Sequence, residues 1–304
     1  MGFNNEFLGN QFKIQLPFRS DHDEFNIIEY IHFSTYFFKP RKFALYCACN
    51  IPTLDKRIKV DRPNTFKKDI ENLEKTSQIG HDFYKSKEND HPTIGNKNLL
   101  DRGHVIRREY PQWETEEIAK KASEDTFFFA NIAPQHYLLN QGDWKDLESY
   151  VVSEVNNKVS VFSGCLFDEA DPIAFYNGAE TKKKQSFYVP LKFWKIVYYL
   201  KDSKLCRIGF VLSQEKILRH LDFIYFPSER VKALSIVKDP FADLDEDLVP
   251  YIVDVKSIEF ATGLRFTPAI EGVEIIEQPK TYLLNNYNRS ISFKFSKEKL
   301  TNYI

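Results

Sequence analysis

The sequence predicts an α+β fold, a central and mainly antiparallel sheet flanked by helices. Strand-length apolar and aromatic runs recur in "KFALYCACNI", "KVSVFSGCLF", "QSFYVPLKFWKIVYY" and "LCRIGFVLSQ", separated by polar loops. Helical composition or spacing marks "ETEEIAKKASED" and "QHYLLNQGDWKDLESYVVSEVNN", inserted between only some of those strands, which points to α+β. The 304 residues, 42% hydrophobic, 28% charged and 15% aromatic, are enough for one large core or two ordinary ones.

Residues 1–40 are mixed, with aromatic strand-like pieces such as "YIHFSTYFF". Lys42 to Ile51 is apolar nearly throughout, which predicts a central strand covered on both faces. Cys47 and Cys49 point to one face of it. With Cys165 and Cys206 they form no CxxC pair and have no His at zinc-finger spacing, so they read as buried thiols. From Pro52 to Asn98 the pattern weakens into a long surface connection with one helical piece, and long loops in compact domains often carry function.

"DTFFFANIAP" reads as a strand stopped by Pro134. After it, Leu138, Leu139, Trp144, Leu147, Val151 and Val155 recur at helical spacing, predicting one amphipathic helix of several turns with Trp144 on its apolar stripe. Residues 215–250 are less regular, and their acidic run "DPFADLDEDLVP" reads as a solvated loop. Asp254 suits a helix N-cap and Gly263 a stop, which predicts one short helix. No repeat or linker divides the chain. The expected organisation is one domain over residues 1–270, with 271–304 as a C-terminal extension packed on or extending the same domain.

A net charge of −1 argues against coating nucleic acid by global electrostatics but leaves room for a local basic cleft. "MGFNNEFLGNQFKIQLPF" lacks a basic segment followed by an apolar run, and no later window reaches membrane-span length. The expected location is therefore cytoplasmic, with export by a signal-independent route as the alternative, and without a membrane partner.

Chemistry concentrates in two stretches. "NLLDRGHVIRREYPQW" sets Asp101, Arg102, Gly103 and His104 side by side, with Arg107 and Arg108 just beyond. His104 alone says little, since a single His is often structural. The second stretch, "ANIAPQHYLLNQGDWKDLE", adds Asn131, Asn140 and Glu148. On one helix, Asn140 and Glu148 would be separated by roughly 12 Å of rise and about 80° of rotation, too far to ligate one ion together. An Asn amide oxygen can instead bind a hard cation directly while the carboxylate reaches its water shell. That pattern suits Mg²⁺, whereas Zn²⁺ would want more His or Cys.

These residues resemble the DNA/RNA non-specific endonucleases with a ββα-metal active site. The shared signature is Asp101-Arg102-Gly103-His104, then Asn131-Ile132-Ala133-Pro134-Gln135, then the helix segment from Asn140-Gln141 through Trp144 to Leu147-Glu148. The similarity extends from Phe7-Leu8-Gly9 through "ALYCACNI", "VFSGCLF", "VPLKFWKIVYY" and "FVLSQ" to "IEFATGLRFTP", most of the chain. Ala130 departs from it, standing where many relatives carry Thr.

The resemblance implies that residues from Leu99 to Asn140 form a strand-strand-helix unit. Within it His104 would be the general base and Asn140 the direct ligand of Mg²⁺, with Mn²⁺ or another divalent cation as a substitute. Glu148 would hold metal-bound water, Asn131 would support the histidine or the phosphate, and Arg102 would stabilise charge on the scissile phosphate. A further phosphate-contacting Arg is expected upstream, at Arg57 or alternatively Arg62. The Arg that some relatives place four residues after the helix Glu is replaced by Val152, so another cation substitutes or neutralisation is weaker.

Arg107 and Arg108 are candidate substrate contacts to neighbouring phosphates, or simply an exposed charged face. The run Lys182-Lys183-Lys184 reads as a solvated loop, His136 as helix-start packing, and Asp101 as either a water-orienting carboxylate or a turn cap. The implied activity is metal-dependent hydrolysis of DNA, RNA or both with little sequence preference. Hydrolysis of a phosphodiester needs an activated nucleophile and positive charge around the phosphate, and this residue set supplies both. Two alternatives stay open: a non-catalytic nucleic-acid-binding module, and a phosphodiesterase for small nucleotides. A homodimer, and an inhibitor or activating partner that restrains the nuclease, are the expected associations.

Overall fold

Every residue of the strand Phe43–Ile51 is buried, and it forms the middle of a sheet that places core on both sides. A computed structural model of the chain describes residues 2–17, 19, 25–85, 90–91, 97–153, 155–178, 183–227, 251–266, 272–277 and 293–294. In chain order the principal strands are β1 (Phe25–Tyr30), β2 (Phe33–Phe38), β3 (Phe43–Ile51), β4 (Leu100–His104), β5 (Ile132–His136), β6 (Val159–Leu166), β7 (Lys192–Lys201), β8 (Lys204–Ser213) and β9 (Tyr251–Val253). The main sheet runs β1-β2-β3-β6-β7-β8-β9, antiparallel at every step. Two pieces beyond residue 271 join it: Ile275–Glu277 pairs parallel with β8, and Phe293–Lys294 pairs antiparallel with β9. The large antiparallel sheet with few helices is the predicted α+β class.

Alternation along β3 divides its side chains between two cores. Ala44, Cys47, Cys49 and Ile51 face one, and Leu45, Tyr46 and Ala48 face the other. Leu45 is an extra residue opposite the Tyr36–Phe37 step, and this bulge presses its carbonyl toward β6. Position 164 must then be glycine, because a Cβ there would lie 1.9 Å from the Leu45 oxygen. The four cysteines are free and buried, as expected, and burial pushes the Cys47 thiol up to about 12.

Helices α1 (Glu116–Asp125), α2 (Tyr137–Gln141), α3 (Asp143–Ser153) and α4 (Val255–Thr262) complete the layers. The Thr115 side chain caps α1 by accepting from the Ile118 N–H at 3.2 Å. Asp254 caps α4 and Gly263 ends it in the left-handed region at φ 69°, as their spacing predicts. Helix α4 packs Val255 and Ile258 on one side of the sheet, while α2 and α3 pack Leu139, Trp144, Leu147 and Val151 on the opposite side with the β4–β5 pair. The functional candidates therefore all lie over one face.

Several local expectations are corrected. The chain enters β5 through a 3-10 turn at Phe129–Asn131, and β5 continues through Pro134 to His136. Proline is tolerated because β5 belongs to a two-stranded sheet and has one edge without a strand partner. The single helix expected after it is two helices broken at Gly142, where a Cβ would lie 2.4 Å from the Leu138 carbonyl oxygen. "QSFYVPLKFWKIVYY" likewise splits into Lys184–Tyr188, in a small sheet with Ile173–Asn177, and β7 in the main sheet.

The Pro52–Asn98 connection is more than surface. Phe66, Leu73, Ile79, Phe83 and Tyr84 reach the core, and buried Gln78 braces buried Asp69 by accepting from its N–H at 2.9 Å and donating to its carbonyl at 3.0 Å. Its only α-helix among the described residues is the single turn His81–Tyr84. The acidic run "DPFADLDEDLVP" and Lys182 lie outside the described residues.

Candidate active site

The site is built on the hairpin of β4 and β5, whose register sets His104 opposite Ile132, Arg102 opposite Pro134 and Asp101 opposite Gln135. Gly103 belongs between them because the Gln135 side chain crosses its Cα face. A Cβ at 103 would meet Gln135 Oε1 at 2.1 Å and its Cγ at 2.5 Å. From the far side, buried Gln214 holds β5 by donating to the Pro134 and Pro190 carbonyls at 3.1 and 2.8 Å and accepting from the His136 N–H at 2.8 Å. His136 caps α2, its Nδ1 accepting from the Leu138 N–H at 3.3 Å, and burial lowers its pKa to about 4. It is a helix-start residue, as its position predicts.

Asn131 does its work through the backbone. Its Oδ1 accepts from the Ile106 N–H at 2.8 Å, and its Nδ2 donates to the Ile106 and Thr126 carbonyls at 2.9 and 3.0 Å. The Val105 N–H in turn donates to the Asn131 carbonyl at 2.9 Å. The amide thus fixes the two residues that follow His104, and the expected support of the histidine is exerted through the chain. The amide is fully engaged and faces no phosphate position.

His104 opens into a cleft of about 560 Å³ lined by residues of β4, α2, α3, the Pro52–Asn98 connection and the loop after β4. Aromatic faces clamp the imidazole: Phe127 meets it edge-on at 4.9 Å and Phe66 at 5.5 Å between ring centres. Its Nε2 is buried without a hydrogen-bond partner among the described residues. Burial, followed by the positive charges of Arg62, Arg108, Arg107 and Arg102, lowers its pKa to about 3. The imidazole is neutral at physiological pH, and it is ringed by four guanidinium groups.

Each cation is held in place. Arg102 lies 4.6 Å over the Phe66 ring, with its Nη1 3.4 Å from His81 Nδ1. His81 Nε2 lies 2.8 Å from the Phe66 carbonyl, so it must donate there and leave Nδ1 as an acceptor for the guanidinium. Arg107 and Arg108 both pair with Glu109, at 2.8 and 3.1 Å, and Arg107 also donates to Ser149 Oγ at 2.9 Å. Both line the cleft, so they belong to the site rather than to an outlying charged face. With Lys145, five cationic side chains meet three carboxylates, those of Asp101, Glu109 and Glu148.

Asn140 and Gln141 both donate their amide nitrogens to Asp101 Oδ2, each at 2.9 Å. With Nδ2 directed at Asp101, the Asn140 amide is oriented, and its acceptor oxygen is the end available to a cation. Glu148, on α3, is buried with its Oε1 3.2 Å from Lys195 Nζ. Among the described residues no three His, Cys, Asp or Glu side chains cluster as an all-protein cage. One oriented amide oxygen in a cleft that Asp101 and Glu148 also line fits a hard divalent cation that keeps most of its water.

Arg57 must be corrected. Its guanidinium caps the end of α3 and the chain beyond, donating to the carbonyls of Val151, Val152 and Val155, with Nε on Pro52 O at 2.8 Å. Arg62, the alternative, lines the cleft. The two separate experimentally: if the cleft binds a phosphodiester as the resemblance implies, Arg62→Ala is expected to slow its cleavage by about tenfold or more with little loss of melting temperature, since it removes a cleft-lining charge. Arg57→Ala is expected to lower the melting temperature and spare the rate, since it uncaps a helix; the reverse pattern would reinstate Arg57.

Val152 packs against the core, and the nearby α3 residues Lys145 and Ser149 are reached instead by Arg107, which donates to the Lys145 carbonyl and to Ser149 Oγ. Sequence reasoning missed Phe66, Tyr84, His81, Lys145 and Lys195. The last left a signal: a lysine between Trp194 and Ile196 in a strand otherwise apolar at its centre.

A family model described as DNA/RNA non-specific endonuclease matches residues 17–271. The chain belongs to that family. Among curated relatives of this endonuclease-family chain, the uncharacterised protein y4fB of Sinorhizobium fredii is 28% identical over 266 residues, 84% of this chain and 38% of the relative. The mitochondrial endonuclease G of Bos taurus is 29% identical and that of Homo sapiens 28%, each over 178 residues, 56% of this chain and 49% of the relative. The chain therefore spans less than half the length of these relatives. A solved EndoG/EndoGI complex, which concerns EndoG inhibition, shares the fold at a TM-score of 0.50 and 17% identity, over 79% of this chain and 84% of that one.

Proposed function

We propose that this chain is a metal-dependent endonuclease that hydrolyses phosphodiester bonds of DNA or RNA with little sequence preference. The observation that carries it is a neutral imidazole inside a ring of four arginines, beside an asparagine whose amide is oriented by a carboxylate. His104 takes the proton from an attacking water. Arg102 and Arg62, with Arg107 and Arg108, hold the phosphate oxygens. Contacts to phosphate carry no base information, so the cleft positions a backbone without reading a sequence.

A pKa near 3 makes His104 a weak base in the free protein, because efficient bases have a pKa close to the working pH. Substrate corrects this in part. Burial is the first cause of that depression and the arginines the second, so a bound phosphate, which neutralises the arginines, offsets only their part of it. Asn140, oriented by Asp101, and Glu148 would hold a Mg²⁺-type ion. Bound there, such an ion supplies further positive charge beside the phosphate.

The test is incubation with supercoiled plasmid, single-stranded RNA and a small phosphodiester, in Mg²⁺ or Mn²⁺ and then with EDTA. Cleavage of a polynucleotide that EDTA abolishes is the expected result. Cleavage of the small ester alone would move the chain to the phosphodiesterase reading, and binding without cleavage would leave a nucleic-acid-binding module. The expected restraint by a partner is consistent with the solved relative, which is an inhibitor complex.

A further inference from the structure

Lys195 is fully buried in the middle of the main sheet, on a strand whose neighbours Trp194 and Ile196 point into the opposite core. Its ammonium has four neighbours. Glu148 Oε1 and Ser163 Oγ each lie at 3.2 Å, and the ring centres of Trp144 and Tyr110 lie at 4.9 and 5.4 Å. Two of its three protons have oxygen acceptors, and two π faces cover the remainder. The ammonium is closed off from water and from the cleft, so it cannot touch a substrate. Glu148 does line the cleft.

A buried lysine is costly in a sheet where an apolar residue would pack as well, and replacing a buried ion pair by apolar groups is often neutral or stabilising. Stability therefore does not account for this pair. Among the described residues the cation hydrogen-bonded to Glu148 is Lys195, at 3.2 Å. Arg107 has other duties, since it is shared with Glu109 and Ser149.

We propose that Lys195 is the positioning residue of Glu148: from behind the cleft it holds that carboxylate in one orientation for the cation and water of the reaction. The inference rests on the nuclease reading and adds to it a residue on a strand outside the three signature segments. Ser163 and the rings of Trp144 and Tyr110 fix the ammonium, and the ammonium fixes the carboxylate.

A double-mutant cycle tests it. Wild type, Lys195→Met, Glu148→Gln and the double variant are compared for kcat and KM on plasmid DNA at saturating Mg²⁺, and for melting temperature in EDTA. Lys195→Met is expected to lower kcat nearly as far as Glu148→Gln, to leave KM within about threefold, and to add less than about threefold once position 148 is Gln. In EDTA the double variant is expected to melt above Lys195→Met, because it no longer buries an unpaired carboxylate. An equal kcat loss from Lys195→Met in both backgrounds, or no loss in either, would overturn the proposal.

If Lys195→Met alone does not fold, Ser163→Ala loosens the ammonium without stranding a charge. It is expected to lower kcat several-fold at nearly unchanged melting temperature, and a wild-type kcat would count against the idea. A wild-type protein inactive on every polynucleotide sinks the nuclease reading and this role with it. The thermal coupling in EDTA, by contrast, still reports whether Lys195 holds Glu148.

Discussion

Replacing His104 with alanine is expected to slow polynucleotide cleavage by about 10²–10⁴-fold while the protein stays folded. The side chain makes no hydrogen bond that the fold depends on: its Nε2 has no partner among the described residues, and the ring is held by Phe66 and Phe127. Arg62, Arg102, Arg107 and Arg108 remain in the variant, so DNA is expected still to bind and the loss to fall on kcat. Undiminished cleavage by His104→Ala would end the assignment of the base.

The same residue sets a pH dependence of stability. Its pKa is about 3 in the fold against about 6.5 for an unperturbed imidazole, so the fold favours the neutral ring. That contribution is complete above pH 6.5 and is lost as the pH falls from 6.5 toward 3, where the unfolded chain binds a proton that the native chain refuses. His104→Ala should therefore flatten the fall of melting temperature between pH 6.5 and 4 seen by calorimetry. A variant curve parallel to wild type would mean that the ring titrates normally.

Asn140→Ala is expected to raise the Mg²⁺ concentration for half-maximal cleavage by more than about 100-fold. Outer partners of a metal site commonly cost 10- to 100-fold in affinity, and in the proposed site Asn140 would offer its oxygen directly. Asp101→Asn should fall within that smaller range, since Asp101 orients the amide at 2.9 Å rather than supplying the ligand. Mn²⁺ binding followed by electron paramagnetic resonance checks both without reference to catalysis. Equal Mn²⁺ affinity in wild type and Asn140→Ala would remove Asn140 from the metal site.

Much of this site was legible in the sequence because its parts are local. Asp101 to His104 form one five-residue strand with Leu100, and the Asn131 and Asn140 segments lie on the next strand and the helix it leads into. Motifs of this kind survive translation from string to structure, since neighbours along a hairpin stay neighbours in space. The helix spacing failed at one point only: Gly142 interrupts it, so Asn140 and Glu148 sit on two helices and their separation obeys no single axis. Apolar periodicity passed smoothly across the break because both helices bury the same face.

Arg57 and Arg62 show the opposite case. They are five residues apart in a stretch without periodicity, and composition cannot tell which one caps a helix and which one faces a cleft. The decision depends on where the end of α3 lies, some ninety residues downstream, with Val151, Val152 and Val155 offering carbonyls that only one of the two can reach.

By itself, then, the sequence determined the fold class and most strands of the main sheet through short-range pattern, and its local motifs named His104, Asn140 and Glu148 as candidates. The tertiary structure alone decided which cations surround the base, that Asn131 acts through the backbone, and that Lys195 stands behind Glu148. The physical reason is one of range. Hydrogen-bonded hairpins and helix turns are written in adjacent residues, whereas the electrostatic environment of a buried group is summed over every charge the packed chain brings near it.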